Sequence, residues 1–190
     1  AAMIAASTKI INWQMVGLLL GGILWGTIGD KKGRLSVLFG SILLYSVANF
    51  ATGFVQTVDQ YAWARFVAGL GLAGELGAGI TLVSELLPKN KRGIGTSLVA
   101  GIGLFGAVFA YFTFQYTQDW RLCYKIGGGL GIGLLLLRVS VAESGMFKQV
   151  KDSNVSRGNV LMFFNNASRF RKYMLAILIG LPTWYVIGIL

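Results

Sequence analysis

Glu75 falls near the middle of the apolar run Tyr61 to Leu87, YAWARFVAGLGLAGELGAGITLVSELL. A helix of that length, rising about 1.5 Å per residue, crosses a hydrocarbon layer of roughly 30 Å and places the carboxylate near the bilayer midplane. An ionisable group there costs roughly 3 kcal/mol or more, so it faces a bundle interior or a water-filled pathway, where it handles protons, ions or substrate. Proton exchange is the expected chemistry. The alternative is a structural hydrogen-bond partner between helices, a role that Ser, Thr or Asn fills at lower cost. Arg65 precedes Glu75 by ten residues, about 15 Å along the axis, too far for a direct pair within one helix. It either contacts an anionic substrate or snorkels toward the surface. Gln14, Tyr45, Asn49 and Tyr111 are further polar groups in apolar runs; each either lines a pathway or bonds a neighbouring helix.

A second set of charges lies in short loops: Asp30-Lys31-Lys32-Gly33-Arg34 after Gly26, then Glu85, then Arg92. Asp30 puts a negative charge at a helix end, the cations stay in the headgroup layer, and Gly33 permits the turn. Metal, haem and thiol chemistry have little to work with. The chain holds no His and one Cys, Cys123, which leaves no disulfide, no Cys-based metal site and no support for an enzyme. No metal or cofactor is expected.

The elements that position these groups follow from composition. Of 190 residues, 55% are hydrophobic and 13% charged, with a mean hydropathy of +0.66, so this is an integral membrane protein. Five runs are long enough to span, about 11–29, 35–56, 61–87, 93–115 and 122–141, and a sixth begins at Tyr173. Each must be helical, because lipid offers backbone polar groups no water. The fold class is therefore all-α, a polytopic transmembrane helix bundle. Residues 142–172 are too polar to span and are expected to form a cytoplasmic linker that lies partly in the membrane interface.

The net charge of +10 would suit nucleic acid if it were gathered on one soluble face. Instead the cations cluster in alternate loops. Of the 17 Lys and Arg, only Lys9, Arg65, Arg121 and Lys125 fall on one side, so the opposite side is cytoplasmic and nucleic acid is not an expected partner. Two matches to G-x-G-x-x-G, Gly69–Gly74 and Gly101–Gly106, lie within spans and follow no strand, so they lack the dinucleotide-binding context. Small residues at 69, 71, 74, 77, 78 and 79, and at 99–103, are expected to let helices approach closely.

The loop from Gly26 to Arg34 resembles the motif G-x-x-x-D-[RK]-x-G-[RK]-[RK] of the major facilitator superfamily. Gly26, Asp30, Lys31, Gly33 and Arg34 fit it, and Leu35 replaces the last basic residue. Arg65-Phe-Val-Ala-Gly69-Leu-Gly71 is similar to R-x-x-x-G-x-G. Glu85 with Arg92-Gly93 is similar to the E-x(6)-R-G element of sugar and metabolite porters. Ala73-Gly74-Glu75-Leu76-Gly77 resembles the G-G-E-W-G stretch of metabolite:proton symporters, and Glu143-Ser144 resembles P-E-S-P without its prolines.

The resemblance implies that the five spans are the second to sixth helices of an amino-terminal half, that 142–172 links two halves, and that 173–190 starts the next span. The first helix and most of the second half would be missing, and a chain that stops inside an apolar run reads as a fragment. Asp30, Arg34, Glu85 and Arg92 would then form a charge network that closes one gate. The lack of the antiporter Gly-Pro in 93–115 favours symport or uniport. The expected function is secondary active transport of a small polar metabolite (sugar, organic acid or amino acid) by proton-coupled alternating access in a bacterial inner membrane. Its partners would be substrate, proton, lipid and the second half. A non-transporting membrane assembly subunit is the alternative.

Overall fold

The computed structural model describes residues 2–137 and 164–189. Six helices run along them: α1 (Ala2–Lys32), α2 (Arg34–Thr52), α3 (Val58–Leu86), α4 (Arg92–Thr117), α5 (Trp120–Leu137) and α6 (Ala167–Ile189). There is no strand among the described residues, and α1 to α5 are each long and apolar enough to cross a membrane. The chain divides into two compact units, Ala1–Arg157 and Gly158–Leu190. Of the expected linker, residues 142–163 lie outside the described residues, as do Arg138 and the Glu143-Ser144 motif.

Local chemistry sets the helix ends. One residue, Gly33, separates α1 from α2; its φ of 99° is a left-handed value that a Cβ would strain. Its N–H still donates to the Gly29 carbonyl at 3.1 Å. α3 opens with a capping box, in which Gln60 N–H donates to Thr57 Oγ1 at 3.2 Å and Thr57 N–H donates to Gln60 Oε1 at 3.3 Å. It ends where Leu87 turns extended ahead of Pro88. α1 is helical from the first described residue, well ahead of the apolar run at 11, because AMIAASTK has good helix formers and no breaker. In the second unit Asn166 caps α6, its Oδ1 accepting from Ser168 N–H at 2.9 Å, so α6 begins ahead of Tyr173.

α3 packs against both α1 and α2, and α5 packs against α2. The core is small: Val37, Leu38, Ala78 and Leu82 cluster, with Trp25, Ile28 and Leu35 against them. Three glycines on α3 make the approach possible: a Cβ at Gly69 would run into the Gln14 backbone of α1. A Cβ at Gly71 would run into the Tyr45 backbone and the Ser41 carbonyl of α2, and one at Gly74 would strike the Trp25 ring of α1. Without a strong hydrophobic drive between helices in lipid, this close van der Waals fit is what associates them.

On α4 the small residues meet no partner helix among the described residues. Gly101 and Gly103 have open space where a Cβ would sit, and no residue of α4 is buried. The stretch 99–103 therefore brings no backbone close among the described residues. On α3 itself Gly77 and Gly79 are likewise open. Small residues permit contact; a facing helix must still supply it.

Gly71→Leu should lower the unfolding free energy in detergent by about 2 kcal/mol, the usual cost of overpacking. Gly77→Leu should leave it unchanged or raise it slightly. Equal effects at the two positions would contradict the packing described.

Candidate functional site: a polar cluster on the third helix

Arg65 lies two turns into α3, roughly 10 Å from Val58 by helical rise, and its fixed planar fork selects its partners. Nε and Nη2 donate to Gln14 Oε1 of α1 at 3.2 and 3.0 Å, and Nη1 donates to Asn49 Oδ1 of α2 at 3.1 Å. The side chain is half-buried, and Asn49 is 4% exposed. Each amide oxygen thus meets a charged donor where water is scarce, the condition under which such bonds are strong. Sequence alone leaves Arg65 between substrate contact and snorkelling. The structure adds a third fact, that three helices are tied together through it.

α5 completes the cluster. The Arg65 guanidinium carbon stands 5.5 Å from the centre of the Tyr124 ring, and the Tyr124 and Tyr61 hydroxyls are 2.7 Å apart. Trp120 meets both tyrosines edge-on, at 5.6 Å from Tyr61 and 6.1 Å from Tyr124. A cavity of about 440 Å³ opens beside these rings, lined by Ile10, Val55, Gln56, Thr57, Val58, Tyr61, Trp120, Arg121 and Tyr124. Sequence reasoning missed Tyr61, Trp120 and Tyr124, which look like ordinary interfacial aromatics. The one available signal was Tyr61 standing a helical turn before Arg65.

Glu75 is half-buried on α3. It lies four residues after Gly71, about 40° past a full turn, so it stands at the edge of the face that packs on α2. Tyr45, among the other expected pathway groups, is half-buried beside Gly71. Tyr111 is 58% exposed on α4, where its hydroxyl accepts from Gln115 Nε2 at 2.9 Å.

The loop charges meet at the other end of the bundle. Arg34 Nη1 donates to Asp30 Oδ1 at 2.9 Å and Nη2 to Glu85 Oε1 at 3.4 Å. Arg34 and Glu85 are largely covered, at 21% and 15% side-chain exposure, while Asp30 is half-exposed. Arg34 neutralises an acid that would otherwise sit unfavourably at the α1 C-terminus, where Lys31 and Lys32 are well placed. Arg92 Nε donates to the Leu87 carbonyl at 3.1 Å, where α3 has ended. Gly26 is exposed with open space about it. At the opposite end Lys9 pairs with Asp59, joining the starts of α1 and α3.

An all-α bundle of apolar helices with these charged loops defines a polytopic transport-type membrane fold. The chain belongs to the Major Facilitator Superfamily, whose family description matches residues 3–190. It is 33% identical over 144 residues to the niacin transporter NiaP of Acinetobacter baylyi, covering 74% of this chain and 33% of that protein. It is 29% identical over 157 residues to the 4-hydroxybenzoate transporter PcaK of Pseudomonas putida, covering 80% of this chain and 35% of that protein. The chain thus spans about a third of these curated relatives. In fold it is similar to the proton:xylose symporter XylE, with a TM-score of 0.68 at 18% identity over 75% of this chain and 36% of that one. The inward-open xylose transporter XylE from E. coli gives 0.62 at 16% identity over 92% of this chain and 46% of that one. Family and helices together make this an integral, multi-pass membrane protein, and the family is one of transporters, not enzymes.

Proposed function

We propose that the chain forms the amino-terminal part of a secondary active transporter. It would move a small polar metabolite bearing a carboxylate, by proton-coupled symport, with alternating access between two pseudo-symmetric halves. The observation that carries the substrate class is the electrostatics of Arg65. Among the described residues its hydrogen-bond partners are neutral amides, so its full positive charge remains available to attract an anion in a low-dielectric setting. The named substrates of the relatives NiaP and PcaK, niacin and 4-hydroxybenzoate, support an organic acid. A bacterial inner membrane suits these bacterial relatives, with the basic loops in the cytoplasm.

In this reading Glu75 takes up a proton when closed off from water and releases it when water reaches it. The Asp30–Arg34–Glu85 cluster, with Arg92 beside it, is the cytoplasmic latch. The Arg34–Asp30 pair, with Asp30 half-exposed, contributes only about 0 to 1 kcal/mol, which suits a contact that must break in every cycle. α4 supports a second half as partner: none of its residues is buried, and Gly93, Ser97 and Gly101 recur at helical spacing along a groove on its surface.

In membrane vesicles carrying the intact transporter, Glu75→Gln should abolish accumulation driven by a proton gradient while leaving substrate exchange intact. Undiminished accumulation would refute the proton role. Asp30→Asn should lower kcat several-fold more than it changes KM, since a latch affects turnover. A purely KM effect would place Asp30 in substrate binding instead.

A further inference from the structure

Arg65 is held along its edges by Gln14 and Asn49, which use its N–H groups but leave the faces of the guanidinium plane unconstrained. The guanidinium carbon lies over the face of the Tyr124 ring, 5.5 Å from its centre. We propose that Tyr124, fixed in turn by Tyr61, is a positioning residue that sets the plane of the Arg65 guanidinium and so the direction in which its charge is presented. The transport arm of this inference rests on the carboxylate reading of Arg65 given above.

A chain of supports holds Tyr124 in place. The capping box at Thr57 and Gln60 fixes the first turn of α3, and Tyr61 N–H donates to the Thr57 carbonyl at 3.0 Å. Tyr61 is therefore anchored at its backbone, and its hydroxyl bonds that of Tyr124 at 2.7 Å. Trp120, the first residue of α5, meets both rings edge-on at 78° and 85°. Arg121 secures that end of α5 by donating to the Val55 carbonyl at 3.1 Å, and its guanidinium lies 5.0 Å from the centre of the Trp120 ring. Tyr124 thus has little freedom in ring tilt. Aromatic faces attract cations more strongly when both are shielded from water, and here Tyr61, Arg65 and Tyr124 are all half-buried. A bare packing role would be met by Leu or Phe without a matched hydroxyl pair.

The direct test reads the guanidinium itself. The protein is labelled with ¹⁵N at its arginine side chains in lipid nanodiscs, and Arg65→Lys identifies the Arg65 signals. Rotation about Nε–Cζ should be slow in the natural protein, giving resolved Nη signals; these should broaden in Tyr124→Phe, which keeps the ring face but breaks the hydroxyl pair, and collapse to an average in Tyr124→Leu. Tyr61→Phe should broaden them. Unaltered Arg65 signals in Tyr124→Leu would overturn the proposal. In uptake by the intact transporter, with benzoate and its uncharged amide as probes, Tyr124→Leu should raise KM for benzoate about tenfold. The KM for benzamide should rise far less, and Tyr124→Phe should recover most of the benzoate KM. An equal rise for both probes would also overturn it. Failure of the natural protein to take up either probe, with the signal collapse still seen, would refute the carboxylate reading and uphold the positioning role.

Discussion

The hydrocarbon interior offers no water, and most of this structure follows from how the chain meets that absence. Every backbone group must be paired within a helix, and every polar side chain must find a partner on another helix or face a wet path. α3 bears the heaviest load, because it carries Arg65 and Glu75 within its span. Its answer is spatial. Gly69 and Gly71 bring α1 and α2 in close, and that closeness is what lets Gln14 and Asn49 reach Arg65 from two sides.

Arg65, Glu75 and Glu85 follow one another at ten-residue intervals on α3, about 15 Å apart along the axis. The first belongs to a polar cluster shared by four helices, and the last to an ion-pair cluster at the other end. Both are carried by one rod, so a tilt of α3 relative to its neighbours disturbs both. In the transport reading proposed above, alternating access in this half of the molecule would use that mechanical coupling.

The helices and their number were legible because hydropathy over twenty or so residues is a strong signal, and the loop charges were legible because lipid confines charge to the ends of spans. Gln14, Asn49 and Arg65 stood out individually as polar groups out of place. Their meeting could not be read, since it depends on the relative rotation of α1, α2 and α3, which no single run encodes. Tyr61 and Tyr124 were hidden for a different reason: tyrosine near a span end is ordinary until a cation is found on its ring. The small residues of α4 stand open among the described residues, because a glycine licenses an approach without supplying the helix that makes it. The helical turns of α1 ahead of residue 11 were hidden too, since hydropathy marks the apolar part of a helix and says nothing of its flanking hydrogen-bonded turns.

The central claim is that α3 presents a side, including position 75, to a path that water and substrate reach from within the bilayer. It is tested most directly by placing a single cysteine there, as Glu75→Cys in a Cys123→Ser background of the intact transporter in native membranes. Labelling by a charged, water-soluble maleimide, and protection from it by transported substrate, is the predicted result. Reaction only with a lipid-soluble maleimide would put position 75 against the acyl chains and contradict the account.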